Sequence, residues 1–228
     1  RAMTAVELEP RAPVAPFVRR RPPAPVRRKK LLFAVANHSF LIAAAVAYRI
    51  VTGLAIISGS TALSNFAPLA AIALCAAAYF PAKFKFTVPM IALLISDVVL
   101  NLSYGFSLFS PFVISHYIGF ALVGWLGWLL RNRASLKTLL PASIAASVIF
   151  YVVTCAVSWL FDSYPKNFAG LVQALTVGLP QYSATPSWMF FRNSVVSDLL
   201  FTGLFILCFH LGRATEPARV TSAEPRTI

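Results

Sequence analysis

The sequence predicts an all-α membrane protein: a bundle of six transmembrane helices plus a short helix lying at, or dipping into, the outer face of the bilayer. Three observations lead there. The chain of 228 residues is 58% hydrophobic and only 12% charged, with a mean hydropathy of +0.75. Soluble domains run near 45–50% apolar and about 25% charged. The apolar residues also fall into long runs, and a helix needs about 20 of them to cross roughly 30 Å of hydrocarbon. The 20 Lys and Arg gather at alternate run ends, as expected of a chain oriented in a membrane.

Residues 1–30 form a basic, Pro-rich cytoplasmic tail with nine Lys and Arg against two acids. Pro10, Pro13, Pro16, Pro22, Pro23 and Pro25 forbid a helix there and favour an extended chain. The first apolar run is Leu31 to Tyr48, closed by Arg49. A basic start, an apolar run and Ala45-Val46-Ala47 have the outline of a signal peptide. The segment before it is too long and too Pro-rich, and further spans follow, so an uncleaved helix is expected. A Gly/Ser/Thr-rich connection occupies Thr52 to Ser64.

The later spans are expected at Phe66 to Phe80, which is short, then Phe86 to Tyr104, Phe112 to Leu130, Leu139 to Phe161 and Met189 to Leu211. Residues 162–188 carry Pro165, Pro180, Pro186, Gly170 and Gly178, and hold the short outer helix near 168–179. The six-helix domain thus covers 31–211, and a polar cytoplasmic tail covers 212–228. With six spans, 17 of the 20 Lys and Arg lie on one side: the nine of the tail with Lys83, Lys85, Arg131, Arg133, Lys137, Arg213, Arg219 and Arg226. Arg49, Lys166 and Arg192 lie on the other. The positive-inside rule therefore places both termini in the cytoplasm. Trp125, Trp128, Trp159 and Trp188 fall near span ends, where interfacial aromatic belts form.

Two acids fall inside spans. Asp97 lies about eleven residues into the third and Asp198 about nine into the sixth, so at ~1.5 Å per residue both sit near the midplane. Facing lipid there would cost at least about 2.5 kcal/mol, so both should face protein or a wet cavity. Asn101 and Tyr104 follow Asp97 at i+4 and i+7, and Ser194 and Thr202 flank Asp198 at i−4 and i+4. The fifth span adds a stripe of Ser143, Ser147, Tyr151, Thr154 and Ser158. Such stripes also serve as packing glue between membrane helices. The plainer reading of the acids is structural pairing with Arg49 or Arg192.

Cys75, Cys155 and Cys208 stand singly in apolar runs and read as small buried hydrophobes. His38, His116 and His210 are weak candidates for metal ligands, for instance to a tetrapyrrole metal, because lone membrane histidines more often bond across helices. No HExxH, P-loop, GxGxxG or nucleophile motif occurs. The chain is therefore expected not to be an enzyme, to require no cofactor and to bind no nucleic acid.

A set of segments carries a further likeness: Asn65-Phe66-Ala67-Pro68-Leu69-Ala70-Ala71-Ile72-Ala73-Leu74, Ser96-Asp97, Tyr164-Pro165-Lys166 with Gly170-Leu171, and Asp198-Leu199-Leu200. In this order they resemble a family of small bacterial membrane proteins catalogued as domain of unknown function 6580, over roughly residues 40–210. That family in turn looks similar to the S components of energy-coupling-factor transporters, six-helix proteins that hold a vitamin or metal ion. The chain departs from the family pattern at Cys155, Asn167, Gln173-Ala174 and Gln181, all in or next to the outer segment.

The expected function is an S-component-like module that binds or transports a small solute in the bacterial cytoplasmic membrane and has no energy source of its own. Its site would lie between the third, fifth and sixth spans under residues 164–182, with Asp97, Asp198, Asn65, Asn101, Tyr104, Thr154 and Tyr164 as candidates. The rival reading is a non-catalytic accessory subunit of a larger respiratory or photosynthetic membrane complex. Its tail, through Arg19, Arg20, Arg21, Arg27, Arg28, Lys29 and Lys30, would lie on a partner protein or on anionic lipid.

Overall fold

The computed structural model describes residues 42–55, 65–105, 107–181 and 183–214, the last four without side chains. The N-terminal tail with its basic residues, His38, the start of the first apolar run and the C-terminal tail lie outside the described residues. All secondary structure among the described residues is helical. Its elements are α1 (Ile42–Ala55), α2 (Leu69–Tyr79), α3 (Thr87–Tyr104), α4 (Pro111–Leu129), a single 3₁₀ turn (Arg131–Arg133), α5 (Leu136–Phe161), α6 (Phe168–Leu175) and α7 (Ser187–Ala214). Four of them, α3, α4, α5 and α7, are long and apolar enough to cross a membrane.

The helix ends follow local chemistry. Ser110 caps α4 by accepting from the Val113 amide at 3.3 Å, and Pro111 occupies the first turn, where its missing N–H costs nothing. Ser135 and Thr138 form a reciprocal capping box at the start of α5. Asn167 caps α6 through the Gly170 amide at 2.9 Å. Gly105 ends α3 in the left-handed region at φ 71°, and its amide reaches back to Asn101 and Leu102.

Burial is inverted relative to a soluble bundle. The outer faces are apolar, as at Leu94 of α3, Ile118 and Leu122 of α4, Val148 of α5 and Val196 and Leu200 of α7. The inner faces carry Ser96, Ser115, Ser143, Ser147, Ser197 and Thr202. Apolar outside with small and polar residues inside is the arrangement a lipid solvent selects. Trp125, Trp128 and Trp188 are exposed, as belt residues would be.

The expected second span differs most from the structure. Its helix is α2, only 11 residues, which at ~1.5 Å per residue is about 16 Å, half a hydrocarbon core. Ten of its residues, Leu69 to Ala78, are buried on every face, the signature of a helix enclosed by others. It packs against α3, α4, α5 and α7. Pro68 sets its start, since the residue before a proline is driven out of helical geometry. Asn65 enters this segment at φ 60°, a conformation that asparagine tolerates better than most residues. Elsewhere the bounds shift modestly. The helix of the first run continues to Ala55 rather than yielding at Thr52, α5 begins at Leu136, and the outer helix stops at Leu175.

Close approach to α2 depends on glycine. A Cβ on Gly127 of α4 would stand 2.3 Å from the Leu74 carbonyl oxygen. The outer segment is equally tight. A Cβ on Gly170 would stand 1.9 Å from the Pro165 carbonyl oxygen, whose other side accepts the Trp159 indole N–H at 2.9 Å. Lys166 donates to the carbonyls of Trp159 and Asp162, which satisfies the end of α5. Partial burial raises the Asp162 carboxyl above its ordinary range, and Lys166 pulls it back. Tyr151 of α5 donates to Leu175 O at 2.7 Å, tying the end of α6 to the bundle.

Candidate functional site

The polar residues meet in a cavity of about 90 Å³ where α1, α4 and α7 surround the start of α2. Arg49 comes from α1, Asn65 and Ala67 from the non-helical entry to α2, Leu69 and Ala70 from its first turn, and His116 and Phe120 from α4. Phe150 of α5 and Ser194 and Asp198 of α7 complete the lining. Non-helical backbone inside a membrane bundle is tolerated where it is enclosed by protein or lines a cavity, and Asn65 and Ala67 of this segment line one. The entry is fastened to α7: Ser197 donates to Ala67 O at 3.3 Å, and Ser194 Oγ lies 3.5 Å from Asn65 O. An aromatic group of Tyr48, Phe66 and Phe201 packs beside it, with centroids 5.7–6.4 Å apart.

The two intramembrane acids are in different situations. Asp97, 1% exposed, forms an ion pair with Arg49, Nη2 to Oδ1 at 2.7 Å. Nη1 of the same guanidinium donates to Ser96. Ser96 passes its own proton to the carbonyls of α3 at Ala92 or Leu93, both 2.9 Å away. Asp97 is therefore paired with Arg49 through Oδ1, while its Oδ2 has no hydrogen-bond partner.

Asp198, 2% exposed, has no such partner. Ser147 of α5 donates to Oδ2 at 2.6 Å, and the Ala71 amide in the first turn of α2 faces the carboxylate. Oδ1 has no hydrogen-bond partner. Arg192, the other expected counter-ion, instead donates to Asn193 Oδ1 at 3.1 Å and lies over the Trp188 ring.

The other expected site residues are placed elsewhere. Asn101 donates to Asp97 O at 2.9 Å, within its own helix. Tyr104 donates to Gly53 O at 2.7 Å, joining α3 to α1. Thr154 returns its proton to Phe150 O or Tyr151 O. Tyr164 is buried in the outer segment, away from the cavity lining. Asn65 and Asp198 are thus the two expected residues that the cavity brings together. His116 joins them, stacked on Phe150 at 5.7 Å, while His210 is exposed at the far end of α7. Among the described residues, no three His, Cys, Asp or Glu side chains group as metal ligands would.

Sequence reasoning treated Arg49 as the end of a span and a structural counter-ion, and His116 as a lone histidine. Both line the cavity. The signal for Arg49 was present, since a cation closing the first apolar run is within reach of an intramembrane acid. A larger apolar groove of about 230 Å³ runs outside between α1 and α7, lined by Ala44, Ala45, Tyr48, Phe201, Leu204 and Phe205. Its lining supplies little to orient a polar solute.

Fold and site define the class: an all-helical membrane protein with a small polar cavity built around a half-length buried helix. Within that class the chain belongs to the Family of unknown function (DUF6580), whose model matches residues 29–219. No curated protein and no solved structure matches the chain significantly.

Proposed function

We propose that this protein is a non-catalytic module that binds a small polar solute within the membrane and serves a transport system energised by another protein. One observation carries the reading. A carboxylate oxygen, Asp198 Oδ1, is buried, lacks a hydrogen-bond partner and belongs to a residue lining a cavity. An orphaned acceptor of this kind costs free energy unless a donor fills the site. Energy must come from elsewhere, because the sequence has no nucleotide-binding motif.

The space beside Asp198 is small, about 90 Å³, so small hydrogen-bond donors are the first ligands to try. The test is a thermal-unfolding screen of the detergent-purified protein with small donors: ammonium, methylammonium, guanidinium and acetamide. At least one should raise the midpoint, by the equivalent of about 2.7 kcal/mol at a hundredfold excess over Kd. Asp198→Asn should remove that shift. A panel with no Asp198-dependent shift rejects the site.

Six spans and cytoplasmic termini belong to the same proposal. The buried α2 and the helix of the first run would supply the two crossings beyond the four long helices, and the 17-to-3 distribution of Lys and Arg sets their direction. Single cysteines added at residues 3 and 226 of a variant lacking its own cysteines should stay unlabelled by an impermeant maleimide in intact cells. They should react after permeabilisation. Labelling of either end from outside overturns this topology.

A further inference from the structure

We propose that the end of the bundle where α4 passes into α5 is a binding surface for the headgroups of anionic phospholipids. It lies away from the cavity and does not rest on the solute reading. Two short connections form it. One joins α2 to α3 and carries Lys83 and Lys85; the other joins α4 to α5 and carries Arg131 and Arg133, with Lys137 on the first turn of α5. They lie side by side, because the 3₁₀ turn packs against α2. Lys85 Nζ also sits over the Trp128 ring of α4, 4.9 Å from its centroid, and over Phe86 at 5.2 Å. The described acids are elsewhere: Asp97 and Asp198 are buried in the bundle, and Asp162 is at the opposite end of α5. Among the described residues, Lys83, Arg131, Arg133 and Lys137 have neither an ion pair nor a side-chain hydrogen bond. The described cations away from this end are all engaged: Arg49 with Asp97, Lys166 with two carbonyls and Arg192 with Asn193.

Positive charges gathered without a carboxylate repel one another unless anions come near. Their height selects the anion. Each lies within four residues of the end of α3, α4 or α5, all long and apolar enough to span. Trp128, Leu129 and Leu136 beside them are exposed, an apolar rim of the kind that sits at headgroup depth. Lipid phosphates occupy that level already, and basic residues held there attract anionic lipid. The backbone is also fixed. The Phe84 and Lys85 amides return to Pro81 O at 2.9 and 3.2 Å, and Thr138 Oγ1 donates to Arg133 O at 2.7 Å. Orientation during insertion asks only for positive charge near a span end. It does not ask for charges set on hydrogen-bonded turns around one indole, whereas a surface ordered in advance loses little freedom when a headgroup binds.

Trp128 supplies the reporter. The full chain carrying Trp125→Phe, Trp159→Phe and Trp188→Phe is reconstituted in phosphatidylcholine vesicles containing a minority of phosphatidylglycerol, with one lipid or the other brominated. Quenching should place phosphatidylglycerol at Trp128 about fivefold above its bulk share, the factor that one basic residue at an anionic surface supplies. Adding Lys83→Gln, Arg131→Gln, Arg133→Gln and Lys137→Gln together should return it to near the bulk share. A chain that keeps Trp188 as its single tryptophan should show no enrichment. Because Trp159→Phe removes the bond to Pro165, the chain with all its tryptophans gives a second readout. Extracted from unbrominated vesicles in mild detergent, it should retain more phosphatidylglycerol than its four-Gln variant. Bulk-share quenching at Trp128 overturns the proposal and leaves the patch to an acidic protein surface. Enrichment that survives the four Gln substitutions, or equals that at Trp188, also overturns it and assigns the lipid to other basic segments.

Discussion

Arg49→Leu should destabilise the bundle by about 3–5 kcal/mol, the usual cost of stranding one member of a buried ion pair. The guanidinium holds Asp97 Oδ1 at 2.7 Å and Ser96 as well, and Asp97 is 1% exposed, so no water shell can take its place. Reversible unfolding in mixed micelles, followed by far-UV circular dichroism, measures the effect. The double variant Arg49→Leu, Asp97→Leu should recover most of the loss, since apolar replacement of a whole buried pair is often neutral or better. If the single variant unfolds like the wild type, the ion pair contributes nothing to holding α1 against α3.

Gly127→Val should have an effect of similar or larger size. The first carbon of any side chain at 127 would meet the Leu74 carbonyl at 2.3 Å and Ala77 Cβ at 3.1 Å. The nearest obstacle is backbone, so α4 itself would have to move away from α2. Overpacking a tight interior costs about 1–3 kcal/mol and sometimes more, and here loss of the α2–α4 contact adds to it. Gly203→Ala of α7 is the control, because nothing lies within 4 Å of its added carbon and alanine is the better helix former by ~1 kcal/mol. The two glycines should therefore shift the unfolding midpoint in opposite directions. A shift of the same sign at both would sink the claim of backbone contact at Gly127.

Much of the architecture was legible because lipid simplifies the code. The four long helices and the α6 region could be read from apolar runs, prolines and caps, and the burial of Asp97 and Asp198 followed from the cost of exposing charge to hydrocarbon. The character of α2 was not legible. Its run looks like a short span, and only three-dimensional packing shows that every face of it is covered. The cavity was half legible for a related reason. Helical spacing places Asn101, Tyr104 and Thr154 on faces shared with other polar groups. It cannot tell whether a side chain reaches across or bonds back to its own helix, as Asn101 and Thr154 do. Arg49 and Asp198 line one cavity beside the irregular entry at Asn65–Pro68, and no periodicity encodes that.

The enclosure of α2 has a consequence for how the chain is made. Synthesis runs from the N-terminus, so α2 leaves the ribosome before α4, α5 and α7, the helices that cover it. An Ala-rich segment of 11 residues is too short to settle across a bilayer unaided, and nothing yet shields its first amides. It must wait, paired with α3 or held by the insertion machinery, until Asp198 and Ser197 arrive on the last helix. Completion of the polar cavity is then the final step of assembly.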